Sequence, residues 1–292
     1  MHLVYITYGP NEKNHVQAYF SIYSFLARNA PIKSINVITD QPLFYKNIEK
    51  HINIIPVTSQ ILSEWQGKYS FSWRIKLKSI ELMCRKHPGE AVLYLDTDTI
   101  LYNNFSRAAD IIANGHAGMH ESEGTLAQVG TKTAGRFEDG IKHITFDGIK
   151  PFSTYEMWNA GAVLIPNTHQ CADIELILKM CDKMLEEKAH TVLIEQFSLS
   201  VGLKKFYGLE PLSPFIAHYW SNKDEWNEMI FNFFLSNNLQ CLTEKEIIEK
   251  FKSIDFSTIP EKRIKKNSNR RLKKLVDKYF VDKKVRYLRT GN

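Results

Sequence analysis

Short apolar stretches alternate with helix-like stretches through the first hundred residues, and this alternation constrains the fold more than any other feature. Strands are predicted at Leu3 to Tyr8, Ile35 to Thr39, residues 52–57 and Ala91 to Leu95. Between them, residues 14–28 and 72–86 repeat apolar side chains at helical spacing. The predicted buried stripe of the second helix is Trp73, Leu77, Ile80 and Cys84. This order of elements predicts an α/β fold, in which right-handed crossovers connect the strands of one sheet.

The character of the chain changes after Ile112. Six of the 14 glycines fall between Gly115 and Gly140, with few apolar residues among them. A long polar stretch of this kind predicts a mobile loop or a lid. Beyond it, the pattern predicts a strand at Ala162 to Ile165 and a helix over residues 172–188. We expect a compact body over residues 1–258 and a separate tail over residues 259–292.

The composition excludes several classes of protein. The chain of 292 residues is 43% hydrophobic and 24% charged, which excludes wholesale disorder. No apolar run approaches the roughly 18–20 residues that a membrane-spanning helix needs. The first residues show neither a basic segment nor a cleavage site, so no signal peptide is expected. The four cysteines have no zinc-like spacing, which favours reduced thiols in a cytoplasm.

The charge is concentrated at the carboxyl-terminal end. Thirteen of the 38 Lys and Arg residues lie in the last 32 positions beside three acids, so this segment carries +10 and the remainder −4. Its apolar residues recur at helical spacing, at Leu272, Leu275, Val276, Tyr279 and Phe280. This pattern predicts a basic amphipathic helix that lies on an anionic membrane surface through residues 262–289. The alternative is a helix that packs on its own body. No nucleic acid partner is expected, because no binding module is recognisable.

Two carboxylates follow the predicted strand that ends at Leu95. Asp96 and Asp98 are two residues apart, and in an extended chain such side chains point the same way. They follow the carboxyl end of a strand, which is where open α/β sheets bind ligands. Because two close carboxylates repel, the pair predicts a divalent cation, which would commonly bridge a diphosphate. The alternative is an Asp-x-Asp sequence that merely ends a strand and caps a turn.

Two further polar groups stand beside apolar runs. Asn159 and Gly161 precede the predicted strand at Ala162, where the amide could hold a hydroxylated ligand and the glycine could allow close backbone approach. Glu195 and Gln196 form an acid–amide pair next to an apolar run. A tight turn at the first group and an ordinary helix start at the second remain the alternatives.

His218 is followed five residues later by Lys223, a pair that could meet a metal ion and a phosphate respectively. A buried structural histidine is the alternative. In this order the motifs resemble those of glycosyltransferases with the GT-A fold, closest to the retaining glycosyltransferase family 8. The resemblance covers roughly residues 1–230 and includes the opening strand and loop from Tyr5 to Asn11, the helix that bears Arg74 and the Tyr-Leu-Asp-x-Asp strand.

The resemblance implies a mixed sheet flanked by helices and a metal-dependent hexosyltransferase. The donor would be a nucleotide sugar, most simply a UDP-sugar, and the acceptor a glycan or a lipid-linked sugar in surface polysaccharide or lipopolysaccharide synthesis. The implied ligands of Mn²⁺ or Mg²⁺ are Asp96, Asp98 and His218. The implied contacts to the nucleotide sugar come from Thr7, Tyr8, Asn11, Arg74, Asp96, Gly161 and Lys223. The implied catalytic residues, around the transferring sugar, are Asn159, Glu195 and Gln196.

Several mechanisms remain open under this resemblance. Retention is favoured, either by acceptor attack on the leaving-group face or through a covalent intermediate on Glu195. An inverting enzyme would need a general base, for which Glu121, Glu123 and Glu195 are candidates. The glycine-rich stretch, with His120 and Glu121, is the expected acceptor site. The family usually carries Asp-Gln where this chain has Glu195-Gln196.

Two other functions compete with transfer. A catalytically silent protein on the same scaffold would bind carbohydrate or membrane without turnover. A sugar-phosphate nucleotidyltransferase would need a glycine-rich loop after the first strand, which Gly9-Pro10-Asn11 does not supply.

The expected location is the cytoplasm, at the inner face of the cell membrane.

Overall fold

The computed structural model describes residues 1–146, 148–149, 152–264, 271–272, 275–276 and 278–280. The strands in this part of the chain are β1 His2–Thr7, β2 Ser34–Thr39, β3 Asn53–Pro56, β4 Val92–Leu95, β5 Thr99–Leu101, β6 His116–Met119, β7 Ser122–Thr125, β8 Glu156–Trp158, β9 Ala162–Ile165, β10 Gly208–Pro211 and β11 Ile216–His218. The helices are α1 Glu12–Ala27, α2 Ser59–Gln66, α3 Arg74–Lys86, α4 Ala108–Ala113, α5 Leu126–Val129, α6 Lys132–Ile141, α7 Ala172–Glu186, α8 Ile194–Phe206, α9 Lys223–Leu239 and α10 Glu244–Lys252.

Seven strands form one mixed sheet in the order β10-β6-β9-β4-β1-β2-β3. Strand β9 runs antiparallel to β4 and β6, whereas the other pairs are parallel. Helices α3, α7 and α8 contribute to the core on one face, and α1, α9 and α10 contribute to the core on the other. The prediction of an α/β sheet flanked by helices is therefore confirmed, and the antiparallel β9 makes the sheet mixed.

Strand β4 lies in the middle of the sheet and leads directly to Asp96. All four of its side chains are buried, because it lies between β1 and β9 with a helical layer on each face. The chain leaves the sheet directly after Leu95, and Asp96 is the first residue outside it. The two-stranded pair of β5 and β11 continues the chain beside this point.

The glycine-rich stretch is not a long loop, so the prediction of a mobile loop there is wrong, whereas the prediction of a lid stays a prediction. Residues 116–141 contain β6, β7, α5 and α6, and β6 belongs to the central sheet. The glycines serve packing and turns. Gly118 lies against Leu212, where a Cβ would come within 2.7 Å of the leucine side chain. Gly124 and Gly130 adopt positive φ angles of 82° and 61°, which glycine accepts without strain.

Trp73 also departs from the prediction, which placed it in the buried stripe of its helix. It caps the amino-terminal end of α3 and is 47% exposed, whereas Leu77, Ile80 and Cys84 are buried as predicted. The helix begins at Arg74, two residues later than predicted, so Trp73 lies before its first turn and outside the core. Its indole lines the cleft that is described below.

The described part of the tail consists of two regions. Pro260 to Arg263 contact the body, and the short helical pieces at 271–272, 275–276 and 278–279 carry exposed side chains. The other residues of the predicted amphipathic helix lie outside the described residues. Among the helices described, none is both long and apolar enough to cross a membrane.

Candidate active site

A cleft of about 700 Å³ opens at the carboxyl ends of β1 and β4. Its walls come from distant parts of the chain, including the start of α1, the start of α3, the β8–β9 connection and the start of α9. The lining side chains used below are Thr7, Tyr8, Trp73, Lys76, Asp96, Asp98, Glu123, Asn159, Gly161, Val192, Glu195, Gln196, His218, Trp220 and Lys223.

Three of these side chains form a cluster at one place in the cleft. Asp96, Asp98 and His218 each offer one ligand atom, and these atoms all lie within 4.8 Å of one another. The carboxylates meet because the chain turns between them, rather than because it is extended as predicted. The Thr99 hydroxyl donates to the Asp96 carbonyl across 2.8 Å and closes this turn.

The imidazole of His218 is oriented by Asn159. His218 Nδ1 lies 2.9 Å from Asn159 Oδ1, and the Gly161 N–H donates to the same oxygen across 3.0 Å. Because an amide oxygen only accepts, Nδ1 carries the proton in this assignment and Nε2 offers its lone pair. Nε2 lies 3.6 Å from Asp98 Oδ2 and 3.9 Å from Asp96 Oδ2. Asn159 therefore fixes the ring of His218, as the partners of metal-binding histidines commonly do.

Gly161 allows a close approach, as predicted, but the group that approaches it is the imidazole of His218 rather than a ligand. A Cβ at Gly161 would overlap the imidazole of His218. The Gly161 carbonyl also accepts the Asp96 N–H across 2.8 Å. This single residue therefore joins the two halves of the cluster.

The cluster has the donor chemistry of a divalent metal site. An octahedral ion with bonds of about 2.1 Å places neighbouring donors about 3 Å apart and opposite donors about 4.2 Å apart. The separations from His218 Nε2 to Asp96 and Asp98 fall in that range. Two carboxylates and one imidazole suit Mn²⁺ or Mg²⁺, so the residues fit the metal that the sequence predicted.

Lys223 lies at the rim of the cluster, at the first position of α9. Its Nζ is 2.8 Å from Asp98 Oδ2, and the lysine side chain is 46% exposed. Burial opposes ionisation of Asp98, but the positive charges of His218 in its protonated form and of Lys223 hold the pKa of that carboxyl well below its usual range. Asp98 is therefore an anion that attracts cations into the cleft.

Lys76 is the functional candidate that the sequence analysis missed. It is buried on α3, with Nζ 3.2 Å from Asp96 Oδ1, 2.9 Å from Glu195 Oε1 and 2.6 Å from the Ala160 carbonyl oxygen. Burial disfavours its charge, but Asp96 and Glu195 raise the pKa of the ammonium above its ordinary value. A signal was present, because Lys76 lies four residues before Ile80 and so on the same side of the helix as the predicted buried stripe, although it was not counted in that stripe.

Glu195 and Gln196 enter the cleft from the first turn of α8. Glu195 is buried, and desolvation raises the pKa of its carboxyl despite the opposing effect of Lys76. Gln196 Nε2 donates to Glu123 Oε2 across 2.9 Å, and Asn159 Nδ2 lies 3.3 Å from Glu123 Oε1. Glu123 thus links the two amides that the sequence analysis assigned to the sugar site.

The predicted nucleotide contacts divide into two groups. Thr7 and Tyr8 line the cleft, and the Thr7 hydroxyl lies 3.0 Å from the Tyr45 hydroxyl. Asn11 does not line it, because its side chain caps α1 by accepting the Lys13 N–H across 3.3 Å. In the structure, Asn11 is therefore a helix cap outside the cleft lining.

Arg74 also lies outside the cleft lining. Its guanidinium donates twice to Asp182, with Nε 2.7 Å from Oδ1 and Nη2 2.9 Å from Oδ2. Its Nη1 donates to the Trp65 carbonyl across 2.9 Å. These bonds tie α3 to α7 and to the end of α2, so Arg74 serves packing in this structure while Lys76 occupies the cleft.

His120 and Glu121, the expected acceptor residues, do not line the cleft either. His120 is fully buried, and Glu121 forms an ion pair with Lys262. Burial is the main cause that lowers the pKa of His120 to about 3, so its imidazole is neutral at physiological pH. Glu123 is the acid of this segment that reaches the cleft.

No family model matches the sequence, and no curated protein matches it significantly. Solved structures do match the fold. The chain is similar to the galactosyltransferase LgtC, solved with donor and acceptor sugar analogs, with a TM-score of 0.50 and 13% identity over 88% of this chain and 98% of that one. It is also similar to the glycosyltransferase GlyE of Streptococcus pneumoniae, with a TM-score of 0.48 and 14% identity over 90% of this chain and 65% of that one. The likeness to LgtC confirms the predicted GT-A fold.

Proposed function

We propose that the protein is a metal-dependent glycosyltransferase that moves a hexose from a nucleotide sugar to a glycan or glycolipid. The observation that carries this proposal is the cluster of Asp96, Asp98 and His218, which faces a cleft of about 700 Å³ on a GT-A fold. A cleft of this size suits a nucleotide sugar. The donor is a UDP-sugar in this proposal, and membership of glycosyltransferase family 8 is part of it.

The leaving diphosphate is bound at the cluster in this proposal. A divalent cation held by Asp96, Asp98 and His218 would neutralise the charge that develops as the diphosphate departs. Lys223 binds a phosphate oxygen, because its exposed side chain can turn from Asp98 towards the ligand. Thr7 and Tyr8 contact the nucleoside at the other end of the cleft.

The transferring sugar lies beside Lys76, Glu195 and Gln196 in this proposal. The buried Lys76 Nζ lies 2.9 Å from Glu195 Oε1, which orients this carboxylate oxygen. Glu195 stabilises positive charge on the sugar ring, and Gln196 hydrogen-bonds a sugar hydroxyl. We infer retention, which proton NMR of the fresh product tests through the configuration at the anomeric carbon.

An inverting mechanism would use Glu123 as its general base. Glu123 lines the cleft, whereas Glu121 is paired with Lys262 and Glu195 with Lys76. An inverted product that disappears in Glu123→Gln would therefore support this second mechanism. A retained product in the same assay would exclude it.

The acceptor is a sugar in this proposal, because exposed aromatic side chains line the rim of the cleft. Trp73 and Trp220 are 47% and 43% exposed while lining the cleft, and Val192 is exposed beside them. Exposed aromatic side chains at a concave site mark a ligand surface, and sugar rings present flat apolar faces to such surfaces. Weaker acceptor binding in Trp220→Ala, without weaker donor binding, would support this assignment.

The tail binds an anionic membrane surface in this proposal, and the catalytic domain spans residues 1–258. The described apolar side chains of the tail, between Leu272 and Phe280, are 45–81% exposed. All four cysteines are free thiols, which favours a reducing compartment and hence the inner membrane face. Sedimentation with vesicles that contain phosphatidylglycerol tests this proposal. Binding that requires anionic lipid and falls with salt would support it.

The decisive experiment measures nucleotide release from a panel of UDP- and GDP-sugars, with Mn²⁺ and with EDTA. We expect release from one donor with Mn²⁺ and none with EDTA or in Asp98→Ala. The matched control is Asp139→Ala, because Asp139 is exposed on α6 and pairs only with Lys142 in the described structure. Tight donor binding without turnover, in the presence of acceptor glycans, would instead support a catalytically silent binding protein.

A further inference from the structure

In the part of the chain that the structure describes, the strand that carries His218 pairs with a strand along one edge only. Strand β11 pairs with β5 along its other edge, with His218 opposite Thr99 and Ile216 opposite Leu101. On the open edge, the Ile216 carbonyl and the His218 N–H meet side chains instead of a strand. His120 Nε2 lies 3.1 Å from the Ile216 oxygen, and Glu261 Oε1 accepts the His218 N–H across 2.7 Å.

His120 is built to act as a fixed neutral donor at this edge. Its ring is fully buried, and Nε2 must carry the proton because a carbonyl oxygen only accepts. Its own backbone is held on both sides, since its N–H donates to the Asn159 carbonyl and its carbonyl accepts from Ser213. The His120 ring stands edge-on against the His218 ring, with centroids 5.4 Å apart.

Glu261 reaches the same edge from the segment that follows the body. Its neighbours on both sides are anchored, which fixes where its carboxylate lies. The Pro260 carbonyl accepts from Asn222 across 2.7 Å and from Trp226 Nε1 across 3.1 Å. On the other side, Lys262 forms its ion pair with Glu121.

We propose that Glu261, together with His120, positions the metal-ligand strand so that His218 Nε2 faces the two carboxylates. The role of Glu261 in this inference is to accept the backbone N–H of His218, for which its side chain has the required length. It is not a ligand of the metal. Asn159 orients the ring of His218, Glu261 accepts the His218 N–H, and His120 donates to the Ile216 carbonyl on the same strand. The inference rests on the proposed metal site, and it assigns a role to a residue beyond the predicted catalytic domain.

Two conservative variants separate reach from charge. Glu261→Gln keeps the length and an acceptor oxygen but removes the charge. Glu261→Asp keeps the charge but is one methylene too short to hold the His218 N–H. The matched control is Glu249→Ala, because Glu249 is exposed on α10 and pairs with Lys252 in the described structure.

The experiment measures Mn²⁺ binding to the full chain by the electron paramagnetic resonance signal of free Mn²⁺, with thermal unfolding recorded for each variant. We expect Glu261→Ala and Glu261→Asp to weaken Mn²⁺ affinity about tenfold, as the loss of supporting partners at metal sites commonly does. Glu261→Gln should stay within about twofold of the wild type, as should Glu249→Ala.

The possible failures are distinguishable. Wild-type affinity in both Glu261→Ala and Glu261→Asp would overturn this inference while leaving the proposed function intact. Equal losses in Glu261→Gln and Glu261→Ala would show that charge matters, which also overturns it. Absence of Mn²⁺ binding by the wild type would overturn the metal site and this inference together. If Glu261→Ala does not fold, the Asp and Gln variants still decide the question.

Discussion

Replacing Gly161 by alanine should weaken metal binding through a single steric contact. The new Cβ would overlap three atoms of the buried His218 imidazole. The φ angle of Gly161 lies outside the left-handed region, so the backbone itself accepts alanine. The variant therefore tests the packing of one methyl group against His218, the proposed metal ligand.

The magnitude follows from what the imidazole must do. Extra carbon in a packed interior costs about 1–3 kcal/mol, and here the ring must move to relieve it. Movement breaks the 2.9 Å bond to Asn159 and takes Nε2 away from Asp98. We expect Mn²⁺ affinity to fall at least about tenfold, which corresponds to about 1.4 kcal/mol.

The assay is calorimetric titration with Mn²⁺, combined with urea unfolding in EDTA. The matched control is Gly135→Ala on α6, where an added Cβ has no atom within 4 Å. This control should bind Mn²⁺ as the wild type does. Its free energy of unfolding should rise by up to about 1 kcal/mol, because alanine favours the helix over glycine.

A double-mutant cycle tests whether the alanine at position 161 acts through His218. If the alanine acts only by displacing His218, then Gly161→Ala should cost no further Mn²⁺ affinity once His218→Ala is present. Fully additive losses would show that the methyl group acts elsewhere. Wild-type Mn²⁺ affinity in Gly161→Ala would refute the assignment of His218 as a ligand held in its present orientation.

Three further predictions concern the buried Lys76, its partner Glu195 on α8, and Arg74 on the same helix as Lys76. Lys76→Met should lower the free energy of unfolding in EDTA by about 3 kcal/mol, because it leaves Glu195 and the partly exposed Asp96 without a cation; Mn²⁺ should restore part of the loss in the same urea titration. Glu195→Gln should cost less stability, since the ammonium keeps Asp96, yet slow sugar transfer at least about tenfold in steady-state assays. Arg74→Ala should lower stability by about 1 kcal/mol through loss of Asp182 and leave the donor KM unchanged, and a raised donor KM would place Arg74 in the sugar site after all.

The fold could be predicted from local patterns because its elements are regular. The predicted bounds of the first four strands agree with the structure to within one or two residues, because each strand is a short apolar run beside a turn or a helical segment. The glycine-rich stretch was misjudged for the opposite reason. Gly118 packs against Leu212 from a distant segment, and that close approach leaves no periodic trace in the local sequence.

The candidate site could be predicted only in part. Asp96 and Asp98 were found because two acids beside an apolar strand are a local signal, and His218 was found through the order of the motifs. Lys76 was missed although it lies on the buried helix stripe. A lysine in such a stripe is usually attributed to a solvated edge of the helix, and only the carboxylate partners show otherwise.

What the sequence alone determined is the alternation of elements, the buried β4 strand and the acids that follow it. These depend on neighbours within a few residues, whose spacing matches the periods of helices and strands. Only the tertiary structure decided which groups share the cleft. His218 meets Asp98 across 120 positions, Lys76 meets Glu195, and Glu261 meets the edge of β11. Contacts of this kind depend on how sheet order and helix packing bring distant side chains within hydrogen-bond range, which no local spacing encodes.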